Sequence, residues 1–488
     1  MPPRILSRSQ HTLSRKQIDP DPLRVLYRLK SAGFKGYLVG GGVRDLLLDR
    51  RPKDFDIGTD ASPQQVKKLF RNCFIIGRRF RLCHVRFGMK VVEVATFRKK
   101  AEPEQGDTIV RRDNTFGTPE EDAFRRDFTI NALFYDIADF SIIDYTGGIE
   151  DLEAKRVRVI GDPDERFRED PVRMMRAVAI ACRLGFRIDR EGQEAIRARR
   201  GEIVKSSHVR ILDEIYKILR QGAARPTFEQ LYATGLLAYI FPEAHKALSR
   251  GETHLLDTLG TLDEYRKRTG TELALSNAIL IAHLLPPLGI PLSSGLRAAA
   301  RKRPYVAADG PRDFEGDPEE PIREEPGEEQ SDGTDVVAEM VELDDDADLG
   351  HGPDLAHGET AISLPFARRD IERLSLLAAV GSKLHRTDLP PNTERNLARK
   401  PYFEEALLLS EIHGLEPEFL EHWRGVTRLA PPVAESANRE VLVEGAPRRE
   451  PVPGAPAVSG DGPDSPDPRR FPRRRSRRRP GRSRGPGG

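Results

Sequence analysis

Cysteine is nearly missing from this chain: Cys73, Cys83 and Cys182 are its only three, and none forms a C-x-x-C pair. That excludes a disulfide framework and a thiolate zinc site, and it suits a reducing cytosol. No run of about 18 apolar residues occurs, so no membrane span is expected. The first residues, "MPPRILSRSQHTLSRKQ", are basic but lack the apolar centre of a signal peptide. These absences together imply a cytoplasmic protein. Hydrophobic residues make up only 38% and charged residues 32%, so part of the chain is expected not to pack. Net charge is also scarce, at +2, but the balance hides an asymmetry. An acidic stretch ("EGDPEEPIREEPGEEQ", "VELDDDADLG") offsets an end in which half of the last twenty residues are arginine. A His–Asp metal motif of the phosphohydrolase kind is absent from the histidine-bearing "IAHLLPPL".

What is present divides the chain. Residues 1–22 read as a basic, disordered start. Residues 23–160 read as α/β: "PLRVLYRLKSAGF" has helical spacing with Leu23, Leu26, Tyr27 and Leu29 on its apolar side, and "GYLVGGGVRDLLLD" reads as strand, glycine turn, helix. "DFDIGT" and "KVVEVATFR" read as strands, and Ser62–Pro63 as a helix start. Residues 161–225 and 226–300 turn helical. An acidic disordered insertion is expected over 301–360, helix again over 361–430, and a disordered arginine-rich end over 431–488.

Within the α/β part, Asp54 and Asp56 lie two apart in "KDFDIGT" and, on a strand, project from one face. Same-face carboxylates repel unless a cation sits between them, and hard Mg²⁺ prefers carboxylate and phosphate oxygens. Gly40–Gly41–Gly42 allows a phosphate to approach backbone N–H groups at a helix start. Arg44 follows in the first turn, where a cation opposes the helix dipole unless it meets a polyphosphate. In "EEDAFRRDFTINALFYD", Arg125, Arg126 and Asp127 stand at the edge of an apolar run. Asp127 and Glu93 compete as the third acid of a metal site, and the sequence leaves both open. "GRRFRLCHVRFG" places Arg78, Arg79, Arg81 and Arg86 with Phe80 and Phe87, a composition suited to a single-stranded RNA end. Arg474 and Arg478, in the basic end, are expected to bind RNA without sequence preference.

"REDPVRMMRAVAIACRLGF" reads as a helix with Asp170 as N-cap, Pro171 first and an apolar stripe of Val172, Met175, Ala179 and Cys182. Asp170 beside Arg173 sets a hydrogen-bond acceptor next to a donor, with Arg176 one turn on. Adenine and cytosine present the complementary donor and acceptor; guanine and uracil present the reverse. The pair therefore admits A and C alike.

In order, "YLVGGGVRDLLL", "KDFDIGT", "RRDFTINALFYD", "DYTGGIEDL" and "REDPVRMMRA" resemble the class II tRNA nucleotidyltransferase and bacterial poly(A) polymerase family over about 22–225. The resemblance implies a polymerase-β-like nucleotidyltransferase head followed by an all-α neck and body. It implies Mg²⁺ held by Asp54 and Asp56, with Asp127 grouped beside them. It implies a triphosphate held by Gly41, Arg44 and Arg126, and a base read by Asp170 and Arg173 with Arg176 near the nucleotide. "SRKQIDPDPLRVLYRLKSAGF" and "LFRNCFIIGRRFRLCHVRFG" look more like the poly(A) polymerase branch than the CCA-adding one. ATP and RNA 3′ ends are the partners so implied. CCA addition to tRNA and non-catalytic RNA binding are the alternatives. The acidic stretch matches no motif of the family, and similarity past 225 is loose.

Overall fold

The computed structural model describes residues 2–77, 81–99, 116–270, 274–290, 364–386 and 388–429. The first half builds one eight-stranded sheet from β1 (Arg4–Leu6), β2 (Gly36–Val39), β3 (Asp56–Thr59), β4 (Cys73–Ile76), β5 (Leu82–Phe87), β6 (Lys90–Thr96), β7 (Leu133–Asp136) and β8 (Ile142–Asp144). Their spatial order is β1-β8-β7-β2-β3-β6-β5-β4. Neighbours are antiparallel except β3 and β6, which run parallel. The helices of this part are α1 (Pro20–Ser31), α2 (Gly41–Leu47), α3 (Pro63–Leu69), α4 (Pro119–Arg125) and α5 (Gly148–Glu153). Proline opens α1, α3 and α4, and the Ser62–Gln65 and Thr118–Glu121 capping boxes satisfy two helix starts.

Alternation along the strands sorts the two faces. Ile57, Cys83, Val85, Val92 and Val94 turn inward against Val25, Leu26 and Leu29 of α1 and Val66 of α3. On the other face, Tyr37, Val39, Phe97, Ala123, Ala132, Phe134 and Ile160 form a second, smaller cluster. The residues interleaved on β4, β5 and β6 (Phe74, Ile76, His84, Arg86, Val91 and Glu93) are exposed or half-exposed.

Two expectations change here. The N-terminus is ordered rather than disordered, because β1 pairs with β8 and Leu13 and Ile18 are buried in the first core. Tyr27 lies on the outer side of α1, and Val25 takes the buried position instead.

A short parallel pair, β9 (Arg156–Val157) with β10 (Arg187–Ile188), joins the sheet layer to the helices. These are α6 (Pro163–Glu169), α7 (Val172–Leu184), α8 (Arg190–Arg199), α9 (His208–Arg220), α10 (Ala224–Ala233), α11 (Leu237–Ile240), α12 (Pro242–Ser249), α13 (His254–Thr269) and α14 (Asn277–Ala282). After residues 291–363, which are outside the description, come α15 (Arg368–Leu384), α16 (Pro391–Ala398), α17 (Phe403–Ile412) and α18 (Pro417–Leu429). Helices from both sides of that span share one hydrophobic cluster, from Phe128 to Trp423. Asn277 donates to Asp370 at 3.1 Å, and the Trp423 indole N–H to Leu384 O at 2.8 Å. The expected insertion (301–360) and arginine-rich end (431–488) lie outside the described residues. No described helix is long and apolar enough to cross a membrane.

Candidate active site

The site begins where β2 ends. Val39 pairs with Asp56, so the first residue of β3 stands beside the turn into α2. Gly40 makes that turn with φ +75°, a left-handed conformation that glycine adopts without strain. A Cβ there would stand 3.2 Å from Arg126 Nη1 and 4.0 Å from Asp56 Oδ2. Turn, carboxylate and guanidinium therefore converge on one point. At Gly42 a Cβ would stand 3.3 Å from the Asp54 carbonyl oxygen, so the lack of a side chain lets α2 settle against the segment before β3.

The two aspartates are not on one strand. β3 starts at Asp56, and Asp54 lies on the approach to it, three-quarters exposed and 3.6 Å from Lys53 Nζ. The neighbour of Asp56 across the sheet is Glu93, because the parallel register Ile57–Val94 sets the preceding residues side by side. The Asp56 pKa is pushed up to about 6 by burial first, then by Glu93 and Asp54, with Arg126 opposing. As a residue Asp56 remains solvent-exposed, beside the Gly40 turn. No hydrogen bond or ion pair to that carboxylate occurs among the described residues. Nor do three or more His, Cys, Asp or Glu side chains gather as a metal cage among them. An Asp56 carboxylate without an ion-pair partner, crowded by Glu93 and Asp54 at a glycine turn, fits a divalent cation that takes its remaining ligands from water and phosphate oxygens.

Asp127 is enclosed. It is 2% exposed, accepts from the Phe128 N–H at 2.6 Å and from Asn131 Nδ2 at 3.4 Å, and pairs with Arg176 at 3.4 Å. Burial raises its pKa against the opposing pull of Arg176. Burial likewise lowers that of Arg176 to about 10, with Asp127 opposing. This pair ties the sheet layer to α7, and Asn131 links it to Arg44.

Arg44 and Arg126 are both held in place. Arg44 is buried, donates from Nε to Asp45 at 2.8 Å and from Nη1 to Asn131 Oδ1, and reaches back to within 3.2 Å of where a Gly41 Cβ would be. Arg126 is gripped by Asp122, with Nε at 3.1 Å and Nη2 at 3.0 Å, and lies over the Phe134 ring. Burial pushes the Asp122 pKa up, but Arg126, Arg125 and the Arg98 N–H outweigh it and hold it below the usual carboxylate value.

At the second cluster, Asp170 closes α6 instead of capping α7, whose N-cap is Pro171. Asp170 Oδ2 lies 4.0 Å from Arg173 Nε and accepts from Arg210 at 2.9 Å. Arg173 donates from Nη1 to Arg166 O at 3.0 Å. Asp170 Oδ1 and Arg173 Nε are buried and take no hydrogen bond. One open acceptor and one open donor thus stand together.

Of the RNA-directed arginines, Arg81 is exposed, whereas Arg78, Arg79, Arg474 and Arg478 lie outside the described residues, as does Phe80. Phe87 is partly buried and packs against the first core. Sequence reading missed Asp122, Asn131, Asp45 and Arg210. Asp122 was detectable, three and four residues ahead of Arg125 and Arg126 on a helix. Arg210 stands 40 residues from Asp170, with no local signal.

Residues 36–158 match the poly A polymerase head domain, and residues 185–248 match a family described as the probable RNA and SrmB- binding site of polymerase A. Apart from β1, the sheet and the glycine turn fall in the stretch that matches the head domain, and helices after it in the stretch that matches the second family, so this part of the chain is similar to poly A polymerases and has the fold of a nucleotidyltransferase head followed by helices. Among named relatives, Poly(A) polymerase I of Salmonella typhi is 49% identical over 247 residues, covering 49% of this chain and 53% of that protein. Poly(A) polymerase I of Haemophilus influenzae is 37% identical over 292 residues, 57% and 64% of the respective chains. The CCA-adding enzyme of Lactobacillus helveticus is 41% identical over 215 residues, 43% and 53%. The chain spans about half the length of the curated relatives it matches first. A crystal structure of the Bacillus stearothermophilus CCA-adding enzyme in complex with CTP shares the fold, with a TM-score of 0.55 over 84% of this chain and 83% of that one, at 23% identity.

Proposed function

We propose that this protein is a polynucleotide adenylyltransferase that adds AMP from ATP to RNA 3′ ends. The observation that carries the reading is the meeting of the Gly40 turn, the Asp56 carboxylate and the Arg126 guanidinium at one point of a poly A polymerase head. Gly41, Arg44 and Arg126 hold the triphosphate, two guanidiniums and backbone N–H groups facing its oxygens. Asp54 and Asp56 hold Mg²⁺, which supplies charge neutralisation at the phosphates and lowers the pKa of the attacking 3′-hydroxyl. Glu93 is the third acid, beside Asp56. Asp170 Oδ1 accepts from the adenine amino group and Arg173 Nε donates to the adjacent ring nitrogen, with Arg176 one turn further along α7.

The test is incubation of the purified protein with Mg²⁺, an unstructured RNA and each NTP in turn. Long extension with ATP is expected. Preferential extension with CTP, or none with any nucleotide, overturns the reading. A second reading, CCA addition, rests on the similarity to CCA-adding enzymes and on a base pair of residues that admits cytosine. A tRNA lacking its CCA end separates them: three added nucleotides and a stop identify the second.

A further inference from the structure

The open face of β4, β5 and β6 is continuous with the carboxylates. The registers Phe74–His84 and His84–Glu93, followed by Glu93 beside Asp56, make one straight cross-strand row from the sheet edge to the site. Its outer end is an aromatic platform. Phe74 is 54% exposed, large for a phenylalanine on a sheet, and the Arg86 guanidinium lies 5.9 Å from its ring centroid. Ile76 (47%) lies two residues along β4, Val91 (42%) pairs with Arg86, and His84 lies 3.4 Å from Glu93 in the middle of the row.

We propose that this face is the track of the RNA strand behind its reacting 3′ end, with a base stacked on Phe74 and the backbone phosphate met by Arg86. The proposal rests on the adenylyltransferase reading and supplies the surface that reading leaves open. Two features favour RNA over a protein partner. The patch combines a π-face with a guanidinium, the pairing that sequence-tolerant base stacking uses. It also leads directly to Asp56, whereas a protein docked there would cover the acids. Three strand spacings of about 4.8 Å put Phe74 roughly 14 Å from Asp56. At about 3.4 Å per stacked nucleotide that is roughly four nucleotides upstream of the end, and fewer if the strand is stretched.

The experiment uses the full chain and its F74A and R86Q variants. Affinity for a fluorescent ten-nucleotide oligoadenylate is read by anisotropy, at salt high enough to screen the arginine-rich end. F74A is expected to weaken binding roughly five- to a hundredfold, and R86Q to weaken it less and to reduce the salt slope. In extension assays F74A raises the KM for the ten-mer far more than for a dinucleotide primer, because the shorter one does not reach the platform. Unchanged affinity in F74A, with a wild-type melting temperature, overturns the track. So does an equal rise in KM for both primers. A wild-type protein that binds the oligomer through Phe74 yet extends it with no nucleotide sinks the function and leaves the track standing.

Discussion

At the level of single residues, the acids near the glycine turn separate into two kinds. Glu93 is half-exposed and its loss leaves no buried group unsatisfied, whereas Asp127 is enclosed with Arg176. E93Q should therefore lower kcat for AMP transfer while melting at the wild-type temperature. D127N removes the nearest countercharge of a buried guanidinium and should cost about 3–5 kcal/mol of stability. Calorimetry and single-turnover kinetics on the two variants check this. D56N should lose on the order of 10²- to 10³-fold in kcat, the scale of removing a preorganised electrostatic contact. D122N leaves Arg126 without its anchor, so a rise in the KM for ATP larger than the fall in kcat is expected. Sequence reading reached the competition between Glu93 and Asp127 but not its geometry. Asp127 adjoins a motif, whereas Glu93 reaches Asp56 only through a strand pairing 37 residues apart in the chain.

Among the elements, local signals served well and junctions less so. Proline starts, the Ser62 cap and the alternation of β6 were legible because they rest on neighbours in sequence. The strand carrying Asp56 begins two residues later than "DFDIGT" suggests, because pairing with β2 stops at Val39, where the chain turns. The sequence suggests Asp170 as a cap, but two helices meet there and its carboxylate accepts from Arg210 instead. The turn itself makes a sharp prediction. G40A places a Cβ at positive φ and 3.2 Å from Arg126 Nη1. The strain of about 1–2 kcal/mol is tolerable to the fold. The displaced guanidinium should nevertheless raise the KM for ATP about tenfold or more, measured against an unchanged circular dichroism spectrum.

For the whole molecule, buried histidine sets an acid limit. His283 is fully enclosed, donates to Ile279 O at 2.7 Å, and has a pKa lowered to about 3 by burial and by His413. Between its ordinary value of 6.5 and 3, the unfolded chain takes up a proton that the folded one refuses. Its contribution is thus complete above about pH 6.5 and lost as pH falls, at about 1.4 kcal/mol per unit. Denaturation of wild type and H283N at pH 7 and pH 5 should show the variant losing less. Removal of residues 465–488 should flatten the salt dependence of RNA affinity and leave ATP binding alone. Composition announced the charged end, but nothing in it showed that helices before residue 291 and after 363 complete one core.

That shared core makes the interruption dispensable as a covalent link. Val380, Leu384 and Trp423 lie in the same cluster as Ile279, Leu280 and Ile281. A protease cut anywhere between 291 and 363 should therefore yield two pieces that travel together through a sizing column and part only in denaturant. Conversely, a chain ending at 290 would carry an uncovered apolar surface and precipitate, however intact its sheet layer.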